Sequence, residues 1–261
     1  MLSEAKSLWS VLLASIGGKL KHIVSYGGGV NSTAMVIWLL QHRQSIDHIV
    51  FCDTGAELPE TLEYVNTFGY WLKQHGLSIQ TVGREEGLFD YCTRLRIIPF
   101  RRFRWCTDKF KVRPFIEFCK AYLPVTAYIG FDAGEESRVL NSEAPIKGRK
   151  CKYKKVPYEK RYPLFQNGID RDGCLELIRN VGLPDPPKSG CFFCPFMTPK
   201  QYQHMKNERP ELFKKAMELE QSNVSGKLIL ETVSLTEIFN QQEMQLCFYD
   251  IELPCGCFDG S

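Results

Sequence analysis

The sequence predicts an α/β protein, a doubly wound parallel sheet with a helical, cysteine-bearing C-terminal cap. Three observations predict it. Short β-branched or aromatic runs end in small or acidic residues, amphipathic helical stretches separate them, and three consecutive glycines stand where the first run meets the first helix. Strand–helix–strand repetition implies right-handed crossovers, and ligands then gather at the carboxyl ends of the strands.

The expected strands are "HIVSY" (22–26), "HIVFCDTG" (48–55), "SIQTV" (78–82) and "VTAYIGFDA" (125–133). Between them "NSTAMVIWLLQH" (31–42), "PETLEYVNTFGYWLKQHG" (59–76) and "RPFIEFCKAYL" (113–123) read as helices, the second with Pro59 at its start and Gly76 at its end. Beyond about residue 140 the pattern changes to a basic loop, a helix near 171–182, the Pro-rich turn "LPDPPKSG", then "CFFCPF" and a helix over 199–221. The expected organisation is a nucleotide-binding core over 1–140 and a basic loop with a cysteine-rich cap over 141–261, packed as one unit. "LWSVLLASIGG" (8–18) reads as a helix rather than a leader, because acidic Glu4 precedes it and no apolar run approaches the roughly 20 residues of a membrane span.

The 261 residues suffice for a full core, and the 11 cysteines are odd in number and unevenly spaced. That usage favours a reducing compartment, the cytoplasm, with cysteines as metal ligands or redox groups. Charge is segregated. Residues 94–113 carry eight basic side chains against Asp108 alone, and residues 147–161 carry eight against Glu159 alone. With Phe100, Phe103, Trp105, Tyr153 and Tyr158 interleaved, these stripes suit a phosphate backbone with stackable bases; a solvated face or a pocket for one charged nucleotide is the alternative.

The glycine loop, "SYGGGVNS" (25–32), joins a strand directly to a helix. Backbone N–H groups and the positive end of the helix dipole then converge on one point, which suits an anion. Neither the G-x-x-x-x-G-K-[ST] loop nor G-x-G-x-x-G spacing is present.

Ser25 to Ser32 resemble the S-x-S-G-G-x-D-S loop of the adenine nucleotide alpha-hydrolase (PP-loop ATP pyrophosphatase) superfamily. "FCDTGAELPET" (51–61) is similar to the second signature of its phosphoadenosine phosphosulfate reductase branch, and the likeness extends to "RWCTDKF" (104–110), "YIGFDAGEESR" (128–138) and "KSGCFFCPF" (188–196). The resemblance implies a five-stranded, Rossmann-like, HUP-type sheet that binds ATP over the glycine loop and splits its α–β phosphate bond. Gly27, Gly28, Gly29 and Ser32 would meet phosphate, with Ser25 supporting the turn, and Asn31 and Ser32 are the candidate catalytic positions. Asp53, Thr54 and Gly55 would lie near the nucleotide, and Arg138 would reach a phosphate. The alternatives are that Asp53 caps the following turn and that Arg138 pairs with Glu135. Two residues depart from the pattern: Gly27 replaces a serine, and Asn31 an aspartate whose carboxylate could help hold Mg²⁺.

Cys191-x-x-Cys194 has metal-ligand spacing, and with Cys106 and Cys174 it offers four thiolates from three places in the chain. Such a set suits a [4Fe–4S] cluster or a tetrahedral zinc, the remaining option being a metal-free redox pair. Relatives of this type bind an iron–sulfur cluster, sometimes through three cysteines, and Cys174 is alternatively a buried helix residue. Cys52, Cys119 and Cys247 read as core, whereas Cys92 and Cys151 carry no assignment. Cys255 and Cys257, in "LPCGCFDGS", are possible sulfur carriers, a structural turn or an auxiliary metal site being the alternatives.

Three functions follow. The first is an ATP pyrophosphatase that adenylates an oxygen of a nucleic acid, for replacement by sulfur from a cysteine desulfurase through the cluster. The resemblance to the ATP-pyrophosphatase component of DNA phosphorothioation systems favours that acceptor, with tRNA thiolation next. The second is reduction of phosphoadenosine or adenosine phosphosulfate to sulfite, for which the expected Glu-Cys-Gly-Leu-His nucleophile is absent. The third is a non-catalytic nucleotide-sensing module, favoured by Asn31. No membrane partner is expected, and a homodimer is possible.

Overall fold

Five parallel strands form one sheet in the order β3–β2–β1–β4–β5: β1 (Lys21–Tyr26), β2 (His48–Asp53), β3 (Ile79–Gly83), β4 (Val125–Ile129) and β5 (Glu159–Arg161). The structure is a computed structural model that describes residues 19–143 and 158–240. The helix expected over 8–18, Cys151, Cys247, Cys255, Cys257 and most of the second basic stripe lie outside the described residues.

Strand order reverses between β1 and β4, where successive crossovers leave in opposite directions and open a crevice at the carboxyl ends. β4 is buried at every position, as a strand covered on both faces should be. It stops at Ile129, four residues before the expected end, because Gly130 begins the turn that carries Asp132 and Glu135. β5 is a three-residue edge strand of charged side chains only, too short and too polar to read from pattern alone.

On one face lie α1 (Val30–Gln41), α2 (Pro59–Lys73) and the later helix α6 (Arg171–Asn180); on the other α4 (Arg113–Lys120) covers Ile23, Val50 and Ala127. α1 is apolar on nearly every side because it is sandwiched between the sheet and α6. α3 (Leu88–Leu95) follows β3, and a short turn at Trp105–Thr107 passes through a π-helical stretch, Asp108–Val112, into α4. α5 (Glu136–Glu143) follows β4. Thus β5 and α6, although beyond residue 140, belong to the α/β layers.

The cap consists of α7 (Pro199–Glu208), α8 (Pro210–Ser222) and α9 (Leu235–Asn240) around Tyr202, Phe213 and Ile238. Thr198 and Gln201 close a reciprocal capping box at the start of α7. The buried Glu220 carboxylate accepts the N–H groups of Ile229 and Leu235, both at 2.7 Å, which fastens the connection to α9. No helix among the described residues is long and apolar enough to cross a membrane.

Candidate functional site

The three glycines have three different physical reasons. Gly28 adopts φ +73°, and a Cβ there would lie 3.0 Å from Val65 and 3.1 Å from Thr61 on α2, so only glycine lets the loop turn against that helix. A Cβ on Gly29 would meet Ser189 Oγ at 2.8 Å. Gly27 has room for a side chain; its N–H donates to Ser32 Oγ at 3.1 Å, and the Ser32 hydroxyl donates to the Gly29 carbonyl at 3.1 Å. The loop is therefore clasped from within by Ser32.

Above it opens a cavity of about 340 Å³ at the carboxyl ends of β1 and β4, lined by Ser25, Gly27, Gly29, Asn31 and Ser32 on the loop side. The β4 side supplies Asp132, Glu135 and Arg138, and Lys111, Arg171, Lys188 and Ser189 complete the wall. Gly28 is not among the lining residues; it faces α2. The buried Ser25 hydroxyl has no hydrogen-bond partner among the described residues and borders this cavity, as a group whose partner is a ligand would.

Asn31 explains its own departure from aspartate. Its amide nitrogen donates to Asp132 Oδ2 at 2.8 Å and to Glu135 Oε2 at 2.9 Å, while its oxygen accepts from Arg171 Nη1 at 3.0 Å. An aspartate here would set three carboxylates against one another. The carboxylates nearest the loop are therefore on the β4 side, in Asp132 and Glu135, the only hard anionic donors that line the cavity among the described residues. Arg138 pairs with Glu135, the alternative weighed for it, and also borders the cavity, its guanidinium 4.3 Å from the centre of the Phe131 ring.

Asp53, Thr54 and Gly55 do not line this cavity. Asp53 Oδ1 accepts the Gly55 N–H at 2.8 Å and so caps the turn after β2. Thr54 belongs to a second, smaller pocket of about 40 Å³, where Cys106, Cys191 and Cys194 come together with Phe100, Arg104 and Phe196. The "DTGAE" segment is the mount of the cysteine turn: Leu58 N–H donates to the Gly190 carbonyl at 2.9 Å and Phe192 N–H to the Ala56 carbonyl at 3.0 Å. Thr54 Oγ1 lies 3.2 Å from Cys191 Sγ and donates to Glu57 Oε1 at 3.1 Å. Burial of its sulfur pushes the Cys191 thiol well above the ordinary range.

Glu57 and Lys111 were not singled out in the sequence, and they join the two spaces. Glu57 is fully enclosed and pairs with Lys111 Nζ at 3.1 Å, and Lys111, itself buried, borders both the cavity and the cysteine pocket. Removing either partner would strand a buried charge, at a cost of about 3–5 kcal/mol.

Cys174 stands apart from the other three cysteines and is not their fourth ligand. It is buried in the core formed by α1 and α6, where desolvation raises its thiol pKa to about 12. Cys52 and Cys119 are buried as expected, and Cys52 also reaches the cavity wall. Cys92 lies in the cap core.

The remaining trio fits a cluster held by three thiolates: all three line one largely apolar pocket, from two separate segments. Among the described residues no group of three or more His, Cys, Asp or Glu side chains is gathered closely enough to hold a single ion, and the soft thiolate donors suit iron–sulfur or zinc alike. Arg101 Nε, donating to the Pro195 carbonyl at 2.7 Å, and Tyr202 OH, donating to the Cys194 carbonyl at 3.2 Å, hold the cysteine turn.

Residues 21–147 match the family model described as "Phosphoadenosine phosphosulfate reductase domain". Two uncharacterized proteins of Methanocaldococcus jannaschii are 24% and 23% identical, over 74% and 73% of this chain and 40% and 45% of their own lengths. An uncharacterized nin region protein of Escherichia phage lambda is 26% identical over 45% of this chain and 50% of its own. The chain thus spans half or less of the length of these relatives. Among solved structures, a phosphoadenylyl-sulfate reductase from Candida auris in a phosphate complex matches with TM-score 0.44 and 13% identity, covering 67% of this chain and 79% of that one. The U34-tRNA thiolase NcsA from Methanococcus maripaludis, with its [4Fe-4S] cluster, matches with TM-score 0.43 and 14% identity, covering 78% and 72%.

Proposed function

Because residues 21–147 match the phosphoadenosine phosphosulfate reductase domain model, we propose that this chain is an ATP pyrophosphatase that activates an oxygen of a nucleic acid for replacement by sulfur. One observation carries the reading: Lys111 borders both the glycine-loop cavity and the three-cysteine pocket, and the chain passes from Ser189 in one wall to Gly190 in the other. An activated group and a sulfur atom can then meet without leaving the protein.

In this reading the N–H groups of the glycine loop and the hydroxyls of Ser25 and Ser32 hold the phosphates, with Asp132 and Glu135 toward Mg²⁺. Arg138, Arg171 and Lys188 balance the triphosphate charge. The acceptor oxygen bonds to the α-phosphorus, the bond to the β-phosphate breaks and pyrophosphate leaves. Sulfur at the sulfide oxidation level then attacks the activated atom, and AMP departs with the oxygen. Cys106, Cys191 and Cys194 would hold a [4Fe–4S] cluster, which when bound supplies iron on which that sulfur can rest. The positive charge of Lys111 favours anionic groups arriving from either side.

The donor is a cysteine desulfurase, whose persulfide sulfur is brought to the sulfide level by two electrons from a thiol reductant of the cytoplasm, and the acceptor atom is a DNA phosphate oxygen or a tRNA base carbonyl. Reduction of phosphoadenosine phosphosulfate is the second reading, supported by the family model itself. To test the first, anaerobically purified, cluster-replete protein is given ATP, Mg²⁺ and sulfide with DNA or with tRNA, and the digested nucleic acid is analysed by mass spectrometry. ATP-dependent appearance of a phosphorothioate linkage or a thionucleoside is the expected result. Sulfur incorporation that is independent of ATP, or none with either acceptor, would overturn the proposal.

A further inference from the structure

A third cavity, of about 220 Å³, shares Pro187, Lys188 and Ser189 with the nucleotide cavity and Gly190, Cys194 and Phe196 with the cysteine pocket. All three spaces are therefore built on one stretch of chain. Leu58, Phe196, Met197 and Met205 give it an apolar lining, with Gln201 and the exposed His204 of α7 among its polar residues.

Charge identifies its occupant. The lining carboxylates, Glu60 and Glu208, offset Lys188 and Arg209. Both cations are also engaged: Arg209 Nη2 pairs with Glu60 at 3.0 Å, and Lys188 Nζ donates to Gln201 Oε1 at 3.1 Å and to the Phe196 carbonyl at 3.4 Å. A polyphosphate finds no net positive charge here, two cations facing two carboxylates, whereas the glycine-loop cavity sets Lys111, Arg138, Arg171 and Lys188 against Asp132 and Glu135 alone. A flat, uncharged heteroaromatic ring meets both needs, its faces against methionine and phenylalanine and its polar edge toward amide and imidazole. Gln201 already uses its oxygen to accept from Lys188 and the Thr198 N–H, so its NH₂ is the group it offers.

We propose that this cavity takes an unpaired nucleobase of the acceptor nucleic acid and sets it beside Cys194. The proposal rests on the sulfur-insertion reading and selects, of its two acceptor atoms, the base carbonyl. A grip on the flanking backbone is close by. The turn Phe100–Arg104 borders the cysteine pocket through Phe100 and Arg104, presents Arg102 and Phe103 to solvent, and is tied to the cysteine turn by the bond from Arg101 to Pro195. Phosphates on that turn and a base in the cavity would straddle the cysteines.

The test uses the full anaerobic chain and an unstructured RNA oligonucleotide carrying one 4-thiouridine, photo-crosslinked and mapped by mass spectrometry. An abasic counterpart is compared by affinity, and ATP affinity is measured on the same preparation. Crosslinks within residues 196–209 are expected, with affinity about tenfold weaker for the abasic strand. A similar loss is expected for H204W, which narrows the cavity from an exposed position and is checked for an unchanged melting temperature. Met205→Phe, a smaller intrusion, serves if that variant misfolds. Equal affinity for the base-bearing and abasic strands, or crosslinks confined to other segments, would overturn the proposal. If ATP binds without any base dependence, the cavity assignment falls and the activation reading stands; base dependence without ATP binding has the reverse meaning.

Discussion

Asn31 stands at the head of α1 with its amide nitrogen shared between Asp132 and Glu135 and its oxygen on Arg171. An amide both donates and accepts, so it can tie two carboxylates and a guanidinium into one wall; a carboxylate can only accept. Asn31→Asp is expected to lower stability by about 1–3 kcal/mol and to weaken ATP binding, through two lost donors and a third like charge. Thermal melting and calorimetry would check this; greater Mg²⁺-dependent ATP affinity in the variant would instead mean that a carboxylate belongs on the loop. The sequence made the loop visible but not this role, because Asp132 and Glu135 are a hundred residues away. It also suggested Cys174 as a ligand, as the fourth thiolate beside Cys106 and the Cys191/Cys194 pair. Burial inside an amphipathic helix, the reading kept beside it, accounts for that cysteine.

Two elements meet at Gly130. A Cβ there would lie 3.0 Å from the Ser32 backbone nitrogen, from Ser32 Cα and from the Asn31 carbonyl, all main-chain or rigid positions. The end of β4 and the start of α1 thus touch backbone to backbone, which fixes how far the cavity opens. Gly130→Ala is expected to destabilise by about 1–3 kcal/mol through overpacking, a fall of a few degrees in Tm, and to weaken ATP binding. A variant with unchanged melting and unchanged ATP affinity would show that the loop is not held by this contact. The strands and long helices were legible because period and length carry them: β1, β2 and β3 lie within a residue or two of the expected runs, and α6 and α7 begin as predicted. β5 was not legible, since three charged residues form a strand only when β4 supplies the partner. Nor was the role of "DTGAE", whose hydrogen-bond partners lie at residues 190–192.

At the scale of the whole molecule the strand order makes one crevice, and the segment 187–196 crosses it between the sheet and the cap. That crossing divides the space into a cavity over the glycine loop with an excess of cations, a small cysteine pocket and a third cavity whose charges balance, with Lys111 and Glu57 buried where the first two adjoin. Such a layout suits a reaction in which phosphate activation and sulfur delivery occur side by side, and the reductase reading would use the same nucleotide cavity with a different nucleophile. The measurement that separates them most directly supplies cluster-replete, anaerobic protein with ATP and, separately, with phosphoadenosine phosphosulfate plus a thiol reductant, scoring pyrophosphate and sulfite in parallel. Pyrophosphate released from ATP, increased by nucleic acid, with no sulfite from phosphoadenosine phosphosulfate, is the predicted result. Sulfite without pyrophosphate would contradict it and make the chain a reductase.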